Sequence, residues 1–134
     1  MRYVLDTNIV VAALNGDTEV ARRLNSLSAT DEVVLPAIVL AELRYGALTS
    51  RRVAENMTRI ERLMVAVSFA PVDRPVAERF GDMKAALRQR GVSKSDADLL
   101  IAATAVVLSA TLVSHDQALL DGSLTNLIAE DWLV

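Results

Sequence analysis

Cysteine is absent from the chain, which excludes both disulfides and thiolate metal sites. Any metal must then be held by oxygen, or by the single histidine, His115, and that favours Mg²⁺ or Mn²⁺ over structural zinc. Long apolar runs are missing too: Leu99 to Leu112 is interrupted by Thr104, Ser109 and Thr111, well short of the roughly 18 residues a membrane span needs. The opening Tyr3-Val4-Leu5 is too short an apolar stretch for a signal peptide, so a cytoplasmic location is expected. Positive charge is scarce. With Lys84 and Lys94 as the only lysines and a formal net charge of −3, the chain is no generic polyanion binder. If nucleic acid is its substrate, the attraction must be supplied locally, by bound divalent ions and by arginine, whose fork suits bidentate phosphate contact.

What is present is apolar. At 134 residues the chain fits one domain, 1–134, without linker, repeat or low-complexity segment. Its 52% hydrophobic content and mean hydropathy of +0.32 are high for a soluble chain of this size, so part of the surface is expected to be covered by another chain.

The pattern along the chain alternates short apolar runs with helical spacing. Tyr3-Val4-Leu5 predicts a strand, Ile9, Val10, Ala13 and Leu14 a helix, and Asp17-Thr18 caps a second helix through Leu27. Val33-Val34-Leu35 predicts a second strand, with Pro36 in the first turn of a helix carrying Ile38 to Tyr45 and stopped by Gly46. Thr49-Ser50 is expected to open a helix to about Met64, with Val53, Met57, Ile60, Leu63 and Met64 as its apolar stripe. Val67 to Val72 predicts a third strand, and Pro75 starts a helix that Gly91 ends. Ser95-Asp96-Ala97-Asp98 opens an apolar helix to Ser109, Thr111 to Ser114 forms a strand, and Leu127-Ile128 a last edge strand. Such alternation implies an α/β fold: a three-layer α/β/α sandwich with a short-stranded, mainly parallel central sheet.

Four acids stand where a soluble fold avoids them. Asp6 and Asp116 each follow an apolar strand, which places them at the carboxyl edge of an open parallel sheet, where ligands bind. Either alone reads equally well as a turn residue or helix cap. Glu42 has Ile38, Val39 and Tyr45 as helical neighbours and is expected to face the core, at a high desolvation cost unless a cation meets it. Asp98, with Ile101, Ala102 and Ala105 one and two turns on, is placed on a buried face, although Ser95 and Asp98 also form a capping signature. Together the four make a hard-oxygen site suited to phosphodiester hydrolysis by metal-activated water. Thr7, Asn8 and Ser114 lie beside them as supporting polar groups.

These segments resemble the PIN-domain ribonucleases, and within them the VapC-type toxins of type II toxin–antitoxin pairs. The resemblance runs through Val4-Leu5-Asp6-Thr7-Asn8, Ala41-Glu42-Leu43-Arg44-Tyr45-Gly46, Asp98-Leu99-Leu100-Ile101-Ala102-Ala103, Leu112-Val113-Ser114-His115-Asp116 and Glu130-Asp131-Trp132. It implies a Mg²⁺-dependent endoribonuclease with catalytic and metal-binding Asp6, Glu42, Asp98 and Asp116, supported by Thr7 and Ser114. It also implies a cognate antitoxin and a homodimer. The chain departs from the family pattern in the turn Ser93-Lys94-Ser95-Asp96, where relatives carry Gly and Pro, in His115, where Asn or Arg is usual, and in Leu119-Leu120, which replaces an acidic-aromatic pair. Two alternatives stand beside this: a PIN fold that only binds, and a Mg²⁺-binding phosphoacceptor signalling domain. The second would want another acid after the first strand, where Thr7-Asn8 stands, and a lysine late in the chain. The stripe Val53, Met57, Ile60 and Leu63 is expected to form the homodimer contact. An antitoxin segment is expected to cross the acids with an arginine or lysine. Trp132 is expected to pack the C-terminal segment onto the core.

Overall fold

A computed structural model describes residues 1–133. Strand β1 (Arg2–Leu5) leads into α1 (Thr7–Leu14) and α2 (Thr18–Asn25), and β2 (Glu32–Pro36) into α3 (Ala37–Leu48) and α4 (Val53–Ala66). Then β3 (Ser68–Ala70) is followed by α5 (Arg74–Gln89) and α6 (Asp96–Val107), β4 (Thr111–Val113) by α7 (Gln117–Leu120), and β5 (Ile128–Glu130) comes last. The strands form one sheet in the order β3-β2-β1-β4-β5, and every pairing is parallel. Among the described residues, no helix is long and apolar enough to cross a membrane.

The topology explains where the site sits. From β1 the chain steps outward through β2 to β3, then returns across the sheet to place β4 on the other side of β1. Because parallel crossovers are right-handed, steps in opposite directions put their helices on opposite faces. The outward crossovers carry α1 to α4 and the return carries α5 and α6, which gives the three layers. The reversal lies between β1 and β4, with Leu5 opposite Val113, so the crevice opens beyond those two strand ends.

The core is built from both strand faces, as a covered parallel sheet requires. Val4, Leu112 and Val113 are fully buried, with Ile9, Val39, Leu99 and Ile101 packed from the helices. Each such side chain contributes about 1.5–3 kcal/mol when removed from water. Trp132 is 1% exposed, its ring 5.6 Å from that of Tyr3, and its indole N–H donates to Glu130 at 3.0 Å. The C-terminal segment is thereby pinned onto β1, as expected.

Several boundaries differ from the sequence reading. Pro36 closes β2 and takes the N-cap position of α3 rather than its first turn. Helix α3 runs through Gly46 to Leu48, because its buried stripe is Val39, Leu43 and Ala47 and the last of these lies beyond the glycine. Thr49 and Ser50 end α3 instead of opening α4: their hydroxyls donate back to the carbonyls of Tyr45 and Ala47. Helix α2 stops at Asn25, and α6 at Val107. The third strand is shortened to Ser68–Ala70, since Pro71 has no N–H to continue a ladder. Helix α7 was absent from the expectation. Gly91 does end α5 as expected, with a φ of +69° and its N–H on the Arg88 carbonyl, while Val92 N–H returns to Leu87. On α4, Ile60 is buried and Met57, Leu63 and Met64 pack against the core, so the stripe expected at a dimer contact is largely used internally.

Candidate active site

Asp6 sits where β1 ends and α1 begins. It is the N-cap of α1, accepting from the Thr7 N–H at 2.7 Å, and is only 5% exposed. Its second oxygen accepts from the Ser114 hydroxyl at 2.7 Å, across from the end of β4. Ser114 is fully buried and its oxygen also accepts the Asp116 N–H at 3.0 Å. One hydroxyl therefore ties the acids at the ends of two neighbouring strands. Asp116 in turn caps α7, accepting from the Ala118 N–H at 3.0 Å. Asn8 joins the same edge by accepting the His115 N–H at 3.2 Å.

Glu42 corrects the expectation. It is exposed, not core-facing, because the buried stripe of α3 passes through Val39 and Leu43, one residue to its side. Instead it lies at the rim and accepts from the Thr7 hydroxyl at 3.0 Å. Asp98 is half-buried in the first turn of α6, which Ser95 caps by accepting the Asp98 N–H at 3.1 Å. Ser95 thus supplies its half of the capping signature, while the Asp98 carboxylate stays half-buried.

Burial, ahead of all other causes, pushes the Asp6 carboxyl above its ordinary pKa. The Ser114 and Thr7 hydrogen bonds oppose that, while the charges of Asp98 and Glu42 raise it further. Asp6 therefore feels both other acids. No lysine, arginine or histidine pairs with Asp6, Glu42, Asp98 or Asp116 among the described residues. As the side chains stand, no three His, Asp or Glu among the described residues form a metal-holding group, Glu42 being turned onto Thr7. The donor chemistry nevertheless fits a hard divalent cation: carboxylates and hydroxyls only, one of them buried without a compensating charge.

Other polar residues have local partners. Asp96 is exposed and pairs with Lys84 at 2.8 Å. Arg44 is exposed and makes no ion pair with Glu42. His115 is 52% exposed in its side chain, and its Nδ1 lies 2.8 Å from Asp131. That pairing was not legible from the sequence, since Asp131 reaches His115 only through the β4–β5 register. Beside Thr7 and Glu42 a groove of about 250 Å³ opens between α1, α3 and α4, walled by Val11, Leu14, Leu43, Ala47 and Ile60. Tyr45, Leu48 and Val53 on α3 and α4 are also exposed.

The chain and its fold have relatives among known proteins. Residues 3–122 match the PIN domain family. The chain is 31% identical to the ribonuclease VapC2 of Rickettsia felis over 133 residues, covering 98% of both chains. It is 30% identical to the ribonuclease VapC1 of Haemophilus influenzae, again over 98% of each. Its fold superposes with a TM-score of 0.91 on a chain in the crystal structure of VapBC2 from Rickettsia felis bound to a promoter DNA fragment, at 30% identity and covering 98% and 99% of the two chains. With its acids at the carboxyl ends of β1 and β4 and that likeness along nearly its whole length, the chain belongs to the PIN-domain family, in its VapC ribonuclease group.

Proposed function

We propose that the protein is a Mg²⁺-dependent endoribonuclease and the toxin of a toxin–antitoxin pair, with Asp6, Glu42, Asp98 and Asp116 as its catalytic and metal-binding residues. The observation that carries this reading is Asp6: a buried carboxylate at the shared strand edge, its pKa raised chiefly by burial and further by the charges of Asp98 and Glu42, with no cationic side chain paired to it. Mn²⁺ should substitute for Mg²⁺, as both favour oxygen ligands. The relatives named above are ribonucleases, which supports RNA as the substrate class.

The chain's own part is positioning. Thr7 N–H and the Ser114 hydroxyl fix both oxygens of Asp6, so its carboxylate is aimed without a cost of reordering at the moment of reaction. Thr7 also orients Glu42, and Ser114 also holds the backbone of Asp116. Bound among these acids, the divalent ion would supply Lewis acidity toward the phosphodiester and lower the pKa of the attacking water. The acids bring negative charge to an anionic substrate, so they need that ion to make the approach of RNA favourable.

Partner binding fits the groove beside Thr7 and Glu42. An antitoxin segment lying along its apolar wall would bring an arginine or lysine to the acids and compete with metal. That the superposed relative was crystallised as VapBC2 supports such a partner. A homodimer is part of the same reading, and the exposed Val65, Phe69 and Val72 around β3 offer apolar surface for it in place of the α4 stripe.

The test is cleavage of single-stranded RNA and matched single-stranded DNA with and without Mg²⁺, for wild type and for Asp6→Ala, Glu42→Ala and Asp98→Ala. RNA cutting that needs the ion and is lost in each variant is expected. Cleavage that survives in Asp6→Ala with Asp98→Ala overturns the assignment. Induced expression of wild type should arrest growth and Asp98→Asn at matched level should not; equal growth of the two overturns the toxin role. Light scattering at micromolar concentration decides the dimer.

A further inference from the structure

Lys94 is one of only two lysines and stands in the turn between α5 and α6. Its side chain is 4% exposed. A buried ammonium is costly unless its donors are met, and here two of the three are met from one place. Nζ donates to the Ala118 carbonyl of α7 and to Asp121 Oδ2, the latter at 3.0 Å, reaching residues 24 and 27 positions away in the chain. Asp121 is itself held by the N–H and hydroxyl of Ser123, so the anchor is fixed on its far side as well.

What Lys94 joins is the informative part. On its own side it directly precedes Ser95, whose hydroxyl caps α6 by taking the Asp98 N–H. On the other side Ala118 gives its N–H to Asp116 and its carbonyl to Lys94. The ammonium therefore braces the turn that presents Asp98 against the four-residue helix that follows Asp116. Helix α7 is too short to hold its shape by propagation alone, so an outside tether sets its position. From Asp98 the brace runs through Ser95, Lys94, Ala118 and Asp116 to Ser114 and Asp6.

We propose that Lys94 is a positioning residue that sets the separation of Asp98 and Asp116 by clamping α7 to the head of α6. It touches neither substrate nor ion. This rests on the ribonuclease reading for its effect on activity, but the clamp itself is measurable without any cleavage.

Three full-length variants test it: Lys94→Met, which keeps length and loses both donated bonds; Lys94→Arg, which keeps charge and donors; and Asp121→Asn, which loosens the anchor and leaves Lys94 in place. Hydrogen exchange in Lys94→Met should accelerate at Ala118 to Leu120 and leave the β1 amides protected. Calorimetric Mg²⁺ affinity should fall about 10-fold, as for lost supports behind metal ligands, and kcat on a single-stranded RNA should fall by about the same factor with KM little changed. Lys94→Arg should recover most of each loss, and Asp121→Asn should show the same pattern more weakly. Unchanged α7 exchange and unchanged Mg²⁺ affinity in Lys94→Met overturn the proposal. If Lys94→Met fails to fold, Asp121→Asn and Lys94→Arg decide it by the same exchange and calorimetric readouts. Should wild type cut no RNA, the ribonuclease reading fails, while α7 exchange still decides the clamp.

Discussion

The Ser114 hydroxyl donates to Asp6 Oδ2 at 2.7 Å across 108 residues of sequence, and the same oxygen receives the Asp116 N–H. Both partners of the first bond are buried, so neither can turn to water if the other is removed. Ser114→Ala should therefore destabilise the fold by about 1.5–3 kcal/mol, the range for a hydrogen bond to a charged group. Urea denaturation of both proteins checks this, and a loss under about 0.5 kcal/mol would match an ordinary surface change and count against the bond.

Divalent ions should stabilise the chain, because they relieve the repulsion among Asp6, Asp98 and Glu42. Melting temperature should rise with Mg²⁺ or Mn²⁺, and chelator should reverse the rise. Asp98→Asn should fold normally and show a smaller gain. A flat melting temperature up to millimolar ion, with no calorimetric heat of binding, would remove the metal site.

The pH dependence of stability should carry two signs in this molecule. Asp6 is raised, chiefly by burial, so the folded chain holds its proton more tightly than the unfolded chain does. Its favourable contribution is complete below roughly pH 4 and is lost as pH rises through the folded pKa. In chelator, Asp6→Asn should therefore gain on wild type as pH rises toward neutrality. Asp121 is lowered, first by the Ser123 hydroxyl and N–H and then by Lys94. Its contribution is present above the ordinary carboxylate pKa and fades only as pH falls well below it. Asp121→Asn should accordingly be less stable than wild type near neutrality, with the gap closing in strong acid. Thermal melts of the two variants against wild type from acid to neutral pH check both slopes. Curves that stay parallel would show that neither carboxyl is shifted.

Trp132→Ala should cost about 3–5 kcal/mol, the range for emptying a large buried aromatic site. It would also release the indole bond to Glu130 and the ring contact with Tyr3 on β1. Loss of near-ultraviolet circular dichroism together with a lower denaturation midpoint is the expected result. A midpoint within error of wild type would mean the C-terminal segment packs independently of the sheet.

The parts of the fold that were legible are those governed by local period. Tyr3-Val4-Leu5 and Thr111-Leu112-Val113 declare themselves as strands, and an acid directly after the first and three residues after the second declares the edge they share. Asp17, Asp73 and Ser95 all cap helices, and at Asp73 the cap stands two residues before the Pro75 that marks the first turn. What was not legible depends on tertiary choice. Glu42 has apolar neighbours on both sides, and only the position of β2 decides that Val39 and Leu43 turn inward while it stays at the rim. Thr49 and Ser50 carry the chemistry of either helix end, and the carbonyls of Tyr45 and Ala47 claimed them. The Lys94 clamp and the His115–Asp131 pair join segments far apart in the chain, where no period reaches.

The place of β1 at the middle of the sheet has a consequence in time. Its partner β2 follows within about thirty residues, but β4 comes only after β3, α5 and α6, and Ser114 stands 108 residues after Asp6. At roughly 5–20 residues per second, a growing chain waits on the order of 5–20 s between making its first acid and making the hydroxyl that orients it. Every fragment released during that interval carries Asp6 and none carries Ser114 or Asp116. A chain released in that interval lacks the Ser114 bond to Asp6, so the edge shared by β1 and β4 forms only after the crossover through α5 and α6 has been made.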